Sequence, residues 1–302
     1  MAKEFNFEKI AVLGTGVLGS QIVMQVAWYG KEVYAYDAFP AALEKLPKRW
    51  EWIRQGYERH YTNFTEERWQ ESLKRIHPTS DLKEAVGDVD LVIEAVPENL
   101  DLKKEIWEKV GALADERTIL ATNTSSLLPS AFSAYSGHED RFLTIHFANE
   151  IWKHNSAEIM GTAKTDADYI NGAIQFAKET GLVPLHVRKE QPGYFLNSLL
   201  IPWLDAAAKL YVNGIAEPAD IDKAWTIATG TDSGPFRVYD VVGFNVASNI
   251  SAVSKDPEVQ AFGAELKKAI ADGFSGVIDG KGFYLYDEDG EPTGQNPFWS
   301  KK

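Results

Sequence analysis

The chain has 302 residues, 44% hydrophobic and 25% charged, an ordinary globular composition that excludes a disordered or collagen-like protein and, against a prior of ~150 residues per domain, predicts about two domains. Its net charge of −13 argues against nucleic acid as a partner and means that any polyanionic ligand needs a local basic patch. Having no cysteine excludes disulfides, thiolate nucleophiles and cysteine-held metals, while no apolar run approaches the ~20 residues of a membrane helix and Met1–Phe5 has no apolar signal segment, so a cytoplasmic protein without a membrane partner is expected.

The first half alternates strand and helix patterns. Lys9–Leu13 is a short apolar run, Val17–Tyr29 a helix with small residues at its start, and Glu32–Asp37 a second strand. Ala41–Ile76 interrupts the alternation. It is charged, aromatic and helix-prone, with Trp50, Trp52, Tyr57, Tyr61, Phe64 and Trp69. It is too long for a crossover loop and predicts one or two helices projecting from the sheet. Leu91–Val96 reads as a buried strand, and Asp101–Leu113 places Leu102, Ile106 and Val110 on one helical face. Thr118–Thr122, Phe142–Phe147 and Leu182–Val187 are further strands. This alternation predicts βαβ units and an α/β, Rossmann-type doubly wound, mostly parallel sheet. Lys189–Gly193 then breaks the chain, and the remainder has helical character: Tyr194–Tyr211, in which Pro202 predicts a kink or break, then Pro218–Ala228 and Asp256–Asp272. The expected domains are 1–188, α/β, and 189–302, all-α, with Asp287–Lys302 read as a loose tail.

Gly14-Thr15-Gly16-Val17-Leu18-Gly19 follows a strand and opens a helix. Gly14 permits the tight turn, Gly16 a close approach of backbone to a pyrophosphate, and Gly19 close helix–strand packing. The helix start, from Val17 and Leu18 onward, offers N–H groups and a positive dipole end to phosphate. Asp37, 18 residues past Gly19, sits where an acid accepts hydrogen bonds from ribose hydroxyls and repels a 2′-phosphate. The expected cofactor is therefore NAD, with NADH preferred over NADPH.

The chemistry needs other residues. No tyrosine is followed by lysine four positions on, and no His-Glu-x-x-His occurs, so the usual tyrosine–lysine dyad and the usual metal ligands for hydride-transfer chemistry are missing and no metal is expected. Histidine is then the natural base near neutral pH. Of the six, His146 lies near the C-terminal end of Phe142–Phe147, where open α/β sheets bind ligands. Asn149 and Glu158 come after it, and Asn123, Thr124, Ser125 and Ser126 end a neighbouring strand with an amide and hydroxyls. Plainer uses exist for each: a structural histidine, an exposed strand glutamate, a serine helix cap, a core amide at Asn197.

Leu13–Gly19, Val92-Ile93-Glu94-Ala95-Val96-Pro97-Glu98-Asn99, Thr122–Leu127, His146-Phe147-Ala148-Asn149, Pro192–Asn197 and Gly234-Pro235-Phe236 resemble the L-3-hydroxyacyl-CoA dehydrogenase family, in order, from about residue 8 to 285. The resemblance implies an NAD-binding first domain, a helical second domain that mediates homodimerisation and closes over a small 3-keto or 3-hydroxy substrate, and a place in fatty acid metabolism. It implies that His146 is the general base and that Glu158 orients it. Ser125 and Asn197 would hydrogen-bond the substrate oxygen or the histidine, and Asn149 would help fix the cluster. Glu98 and Lys103 would meet the nicotinamide end of the cofactor, with Asn123 beside them. A carboxylate next to a histidine favours the imidazolium form, the proton donor in the reductive direction.

The family usually has Phe-Asn-Pro after the His-Phe; here it is Ala148-Asn149-Glu150. With Asn197-Ser198-Leu199-Leu200, this is most similar to the diketoreductase branch, which acts without a CoA handle. Lys45, Lys48, Arg49, Arg54 and Arg59 fall where family members contact CoA, but Glu44, Glu51 and Glu58 are interleaved, as in a solvated ion-paired helix. A CoA thioester, a CoA-free keto acid or ester, and a non-catalytic dinucleotide-binding dimer all remain open readings.

Overall fold

The computed structural model describes residues 3–288 and 290–300; Met1, Ala2, Asp289, Lys301 and Lys302 lie outside the described residues. It divides into two compact units, the first ending at Phe195 and the second beginning at Leu196. The division falls a few residues past the expected one at 188/189. The reason is Tyr194, which is buried against Met160 and Val187 and ties the intervening segment to the first unit.

In the first unit β1 (Lys9–Leu13), β2 (Glu32–Tyr36), β3 (Ile76–Thr79), β4 (Leu91–Glu94), β5 (Ile119–Thr122), β6 (Phe142–Phe147), β7 (Ser156–Gly161) and β8 (Val183–Val187) form one sheet in the order β3-β2-β1-β4-β5-β6-β7-β8. All neighbours run parallel except β6 and β7. The buried strands β4 and β5 are continuous runs covered on both faces, as parallel sheets require. The edge strand β3, which contains Pro78, and the strand β7 are not among the expected strands. Proline is tolerated in β3 since an edge strand has one side without ladder partners.

Helix α1 (Val17–Trp28) is buried from Gly19 to Trp28. It packs against β2 and is also covered by α3 (Leu46–His60) and α4 (Glu66–Lys74), which follow the short α2 (Pro40–Leu43). These are the helices expected to project from the sheet, and they rest on α1. Their aromatic residues decide it: Tyr57 meets Trp28 edge-on at 5.2 Å, Phe64 stacks on Trp28 at 5.8 Å, and Ile53, Tyr57 and Trp69 join the main core. Burying each such side chain stabilises by roughly 1.5–3 kcal/mol, more than a charged exterior face can resist. Next come α5 (Leu82–Val86), α6 (Leu100–Leu113) and α7 (Ala167–Glu179). Asn99 caps α6 by accepting from Leu102 N at 3.0 Å.

The second unit contains α8 (Leu196–Val212), α9 (Pro218–Thr229), α10 (Pro235–Val242), α11 (Phe244–Ala252) and α12 (Pro257–Ala271). Pro202 lies inside α8, which continues through it instead of breaking. The described part of the C-terminal segment is not loose. β9 (Tyr284–Tyr286) pairs with β10 (Pro292–Gln295), and Trp299 is buried with its Nε1 donating to Gly282 O at 3.0 Å. The aromatic core of Tyr211, Phe236, Phe262 and Phe283 holds that indole in place.

Candidate active site

The glycine loop sits where the strand order reverses, between the C-terminal ends of β1 and β4, the usual ligand crevice of such sheets. Gly14 has φ +98°, and a β-carbon there would lie 2.6 Å from Ala95 O. A β-carbon on Gly19 would overlap the Gly14 carbonyl. Gly16 differs from both: its φ of −61° suits any residue and its β-carbon direction is open. No acidic residue sits in the first turn of α1 and no side chain caps it, so its first N–H groups remain available to an anion. Asp37, just past β2, accepts from Thr15 N and Thr15 Oγ1, both at 2.9 Å. Arg49 from α3 donates to the Thr15 carbonyl. Exposed Val17 and half-buried Leu18 begin the helix at the same edge. This cradle fits a dinucleotide.

His146 on β6 and Glu158 on β7 are directly opposed in the antiparallel register. Nδ1 lies 2.8 Å from Glu158 Oε2, and both residues are buried, at 8% and 3% exposure. Glu158 Oε1 accepts from Phe195 N at 2.7 Å. An ionised carboxylate only accepts, so a neutral imidazole bonded to one through Nδ1 donates there and has its lone pair on Nε2. Tyr194 stacks on the imidazole with centroids 5.0 Å apart.

A second charged cluster lies at the ends of β4 and β5. Lys103 Nζ is 2.7 Å from Glu94 and 3.3 Å from Glu98. Lys103 and Glu94 are fully buried, and Thr122 Oγ1 and Val96 N also donate to Glu94. Glu98 Oε1 accepts from Thr124 Oγ1, Ser125 N, Ser126 N and Ser126 Oγ, which shapes the 124–127 loop. Burial alone would raise the Glu98 carboxyl, but the Thr124 hydroxyl, the Lys103 charge and the Ser126 donors outweigh it and hold it at about 2. The Ser125 side chain is exposed on this loop.

Asn123 Oδ1 accepts from Phe147 N at 2.9 Å, joining the ends of β5 and β6. Asn149 bonds neither partner of the His–Glu pair. Its Oδ1 accepts from Gln21 Nε2 at 2.7 Å, and Gln21 Oε1 accepts from Glu150 N at 2.8 Å. Asn197 lies in the first turn of α8, in the second unit. Gln21, Glu94 and Tyr194 are not among the expected site residues. Glu94 had a signal, a charge ending the apolar run Leu91-Val92-Ile93, and Gln21 is a polar residue in an apolar helix. Tyr194 lies within the Pro192–Asn197 motif, but its place against His146 depends on backbone conformation.

The model of the 3-hydroxyacyl-CoA dehydrogenase NAD binding domain matches residues 9–191, and that of the 3-hydroxyacyl-CoA dehydrogenase C-terminal domain matches 193–286. The chain belongs to this family and is an NAD-dependent oxidoreductase. It is 31% identical over 294 residues to the mitochondrial hydroxyacyl-coenzyme A dehydrogenase of Sus scrofa, covering 94% of this chain and 93% of that one. L-carnitine dehydrogenase of Pseudomonas aeruginosa is 31% identical over 84% of this chain and 79% of its own. A solved structure of a diketoreductase, described as catalysing dicarbonyl compounds, superposes with a TM-score of 0.90 at 48% identity, over 94% of this chain and all of that one.

The glycine geometry separates two variants. Gly16→Ala should keep the thermal midpoint of the wild type and weaken NADH binding in a fluorescence titration, whereas Gly19→Ala should lower the midpoint itself; unchanged NADH affinity in folded Gly16→Ala would exclude the cradle. The Glu98 carboxyl is held below its ordinary 4.5, so its contribution to stability is full above that pH and is lost as pH falls toward about 2. Glu98→Gln should therefore show a shallower loss of thermal stability than the wild type across that window.

Proposed function

We propose that the protein interconverts a 3-hydroxy and a 3-keto group on a small acyl substrate, with His146 moving the proton and Glu158 orienting it. The observation that carries this is the buried 2.8 Å contact between His146 Nδ1 and Glu158. NAD, when bound, accepts or supplies the hydride. With Nδ1 donating to the carboxylate, Nε2 takes the hydroxyl proton in oxidation, and the imidazolium returns it to the forming alcohol in reduction. Ser125 and Asn197 serve the substrate oxygen in this reading. Glu98, Lys103 and Asn123 shape the loops around the nicotinamide end, Asn149 helps fix the catalytic cluster by holding the segment after His146 to Gln21, and Asp37 favours NADH over NADPH by repelling a 2′-phosphate.

The relative from Sus scrofa is named for a coenzyme A substrate, which supports a thioester. A CoA-free dicarbonyl or keto ester is the second reading, and two observations favour it. The 48% identical structure is a diketoreductase. Of the cations on the α3 segment, Arg54 pairs with Glu58 and Glu66, and Arg49 is bonded to the glycine loop. Both are already engaged within the protein.

We also propose a homodimer formed through the second unit. Large apolar side chains are exposed there at Leu199, Ile215, Ile227, Val241 and Val253, and the same unit has a cavity of about 510 Å³ lined by Trp203, Leu210, Ile221 and Trp225. Among the described residues no helix is long and apolar enough to cross a membrane. The lack of cysteine suits a reducing compartment, and the cytoplasm is the proposed location.

His146→Gln and Glu158→Gln should each lower kcat by roughly 10²–10⁴-fold while still binding NADH; full turnover in both would overturn the assignment. The ratio of kcat/KM for acetoacetyl-CoA to that for a β-keto ester, monitored by NADH oxidation, decides between the two substrate readings. Sedimentation should give twice the chain mass, and a single-chain mass would remove the dimer.

A further inference from the structure

A hydrogen bond at Nδ1 does not by itself fix an imidazole. The torsion between Cβ and Cγ joins sp³ to sp² carbon and has a broad, soft profile. The ring of His146 can therefore tilt while Nδ1 stays within reach of Glu158, and each tilt swings Nε2 to a different direction. Something must hold the plane.

The 193–195 segment supplies it. Gly193 and Tyr194 are consecutive left-handed residues, φ +77° and +53°. For a tyrosine this conformation brings Cβ against backbone, and such strain persists only where the surroundings over-determine it. Two contacts do so here. The conformation directs Phe195 N–H at Glu158 Oε1, 2.7 Å away. It also lays the Tyr194 ring on one face of the His146 imidazole, with planes 14° apart. The ring is 1% exposed and rests on Met160 and Val187, with Leu128 packed alongside. Burial pushes the Tyr194 hydroxyl up, so the phenol stays neutral and His146 meets a ring rather than an acid. Its π face also attracts the cation that forms when the imidazole takes a proton.

We infer that Tyr194 is a positioning residue for the proton transfer: its ring fixes the imidazole plane, and the adjoining amide fixes the carboxylate that the imidazole is bonded to. One strained turn thereby holds both partners of the pair. This rests on the reading of His146 as the proton-transferring group.

The test compares a flat side chain with a bulky one that is not flat, in the full chain. Tyr194→Phe keeps the plane and should retain kcat within a factor of a few. Tyr194→Leu fills much of the volume without a plane and should lose ~10- to 100-fold in kcat, the scale of a small misplacement of reacting groups, while KM and the Kd for NADH hardly move. In NMR spectra the ring-current shift of the His146 carbon-bound protons should persist in the Phe variant and vanish in the Leu variant. Tyr194→Met replaces Leu should the latter not fold. Wild-type kcat in folded Leu or Met variants overturns the inference, as does a loss of kcat matched by an equal loss of NADH affinity. His146→Gln, measured alongside, separates the two levels. If it remains active, the underlying reading fails; if it is inactive while Tyr194→Leu is unimpaired, only the role of Tyr194 fails.

Discussion

Residues twelve apart in a chain meet side by side only if the backbone reverses between them in the right register. β6 and β7 do this, placing His146 opposite Glu158 with 2.8 Å between nitrogen and carboxylate. Every other pairing in the sheet is parallel, and a parallel pair could not have joined these two through so short a connection. Slipping the register by one residue would turn one of the two side chains to the opposite face of the sheet. The proposed chemistry therefore depends on one hairpin at the end of an otherwise ordinary nucleotide-binding sheet.

That hairpin is anchored from two directions. Gln21, on the helix just after the glycine loop, holds Asn149 through its amide and Glu150 through its carbonyl. Glu150 has a φ of +57°, a conformation that needs such support. On the other side Trp152 is packed onto α3 at Gly56, where a β-carbon would overlap the indole. Trp152 also meets Trp52 edge-on at 5.1 Å. Helix α1, the aromatic helices and the histidine strand are thus mechanically joined. The departure from the usual family motif, Glu150 in place of proline, falls inside this anchored segment.

Much of this was legible in the sequence. The glycine loop, six of the eight strands of the central sheet and the His146–Glu158 pair come from motif spacing, apolar runs and the family likeness, because those features are local or carried by that likeness. What was not legible depended on tertiary context. Tyr57 and Trp69 read as packing surface in the sequence, but that α1 is what they pack against is visible only in the fold. Pro202 reads as a kink or a break, and the sequence does not say that α8 runs through it unbroken. The segment around Trp299 looks loose by composition, and only the Gly282 carbonyl and the surrounding rings show otherwise. Asn149 was assigned to the catalytic cluster by likeness, while its amide is bonded to a glutamine 128 positions earlier. No window of sequence contains both.

The ion pair of Glu94 and Lys103 bears on how this lineage can change. Both are buried; without Lys103 the Glu94 carboxylate would lose its cation, without Glu94 the Lys103 ammonium would keep only the longer 3.3 Å contact to Glu98, and removing one partner of such a pair costs about 3–5 kcal/mol. Neither position can drift alone without approaching the margin at which folding fails. Descendants of this chain should therefore keep both residues or exchange them together. Such a two-step path passes through a poorly viable intermediate, so the loop carrying Ser125 and Ser126 inherits a stability that selection on the reaction itself did not have to provide.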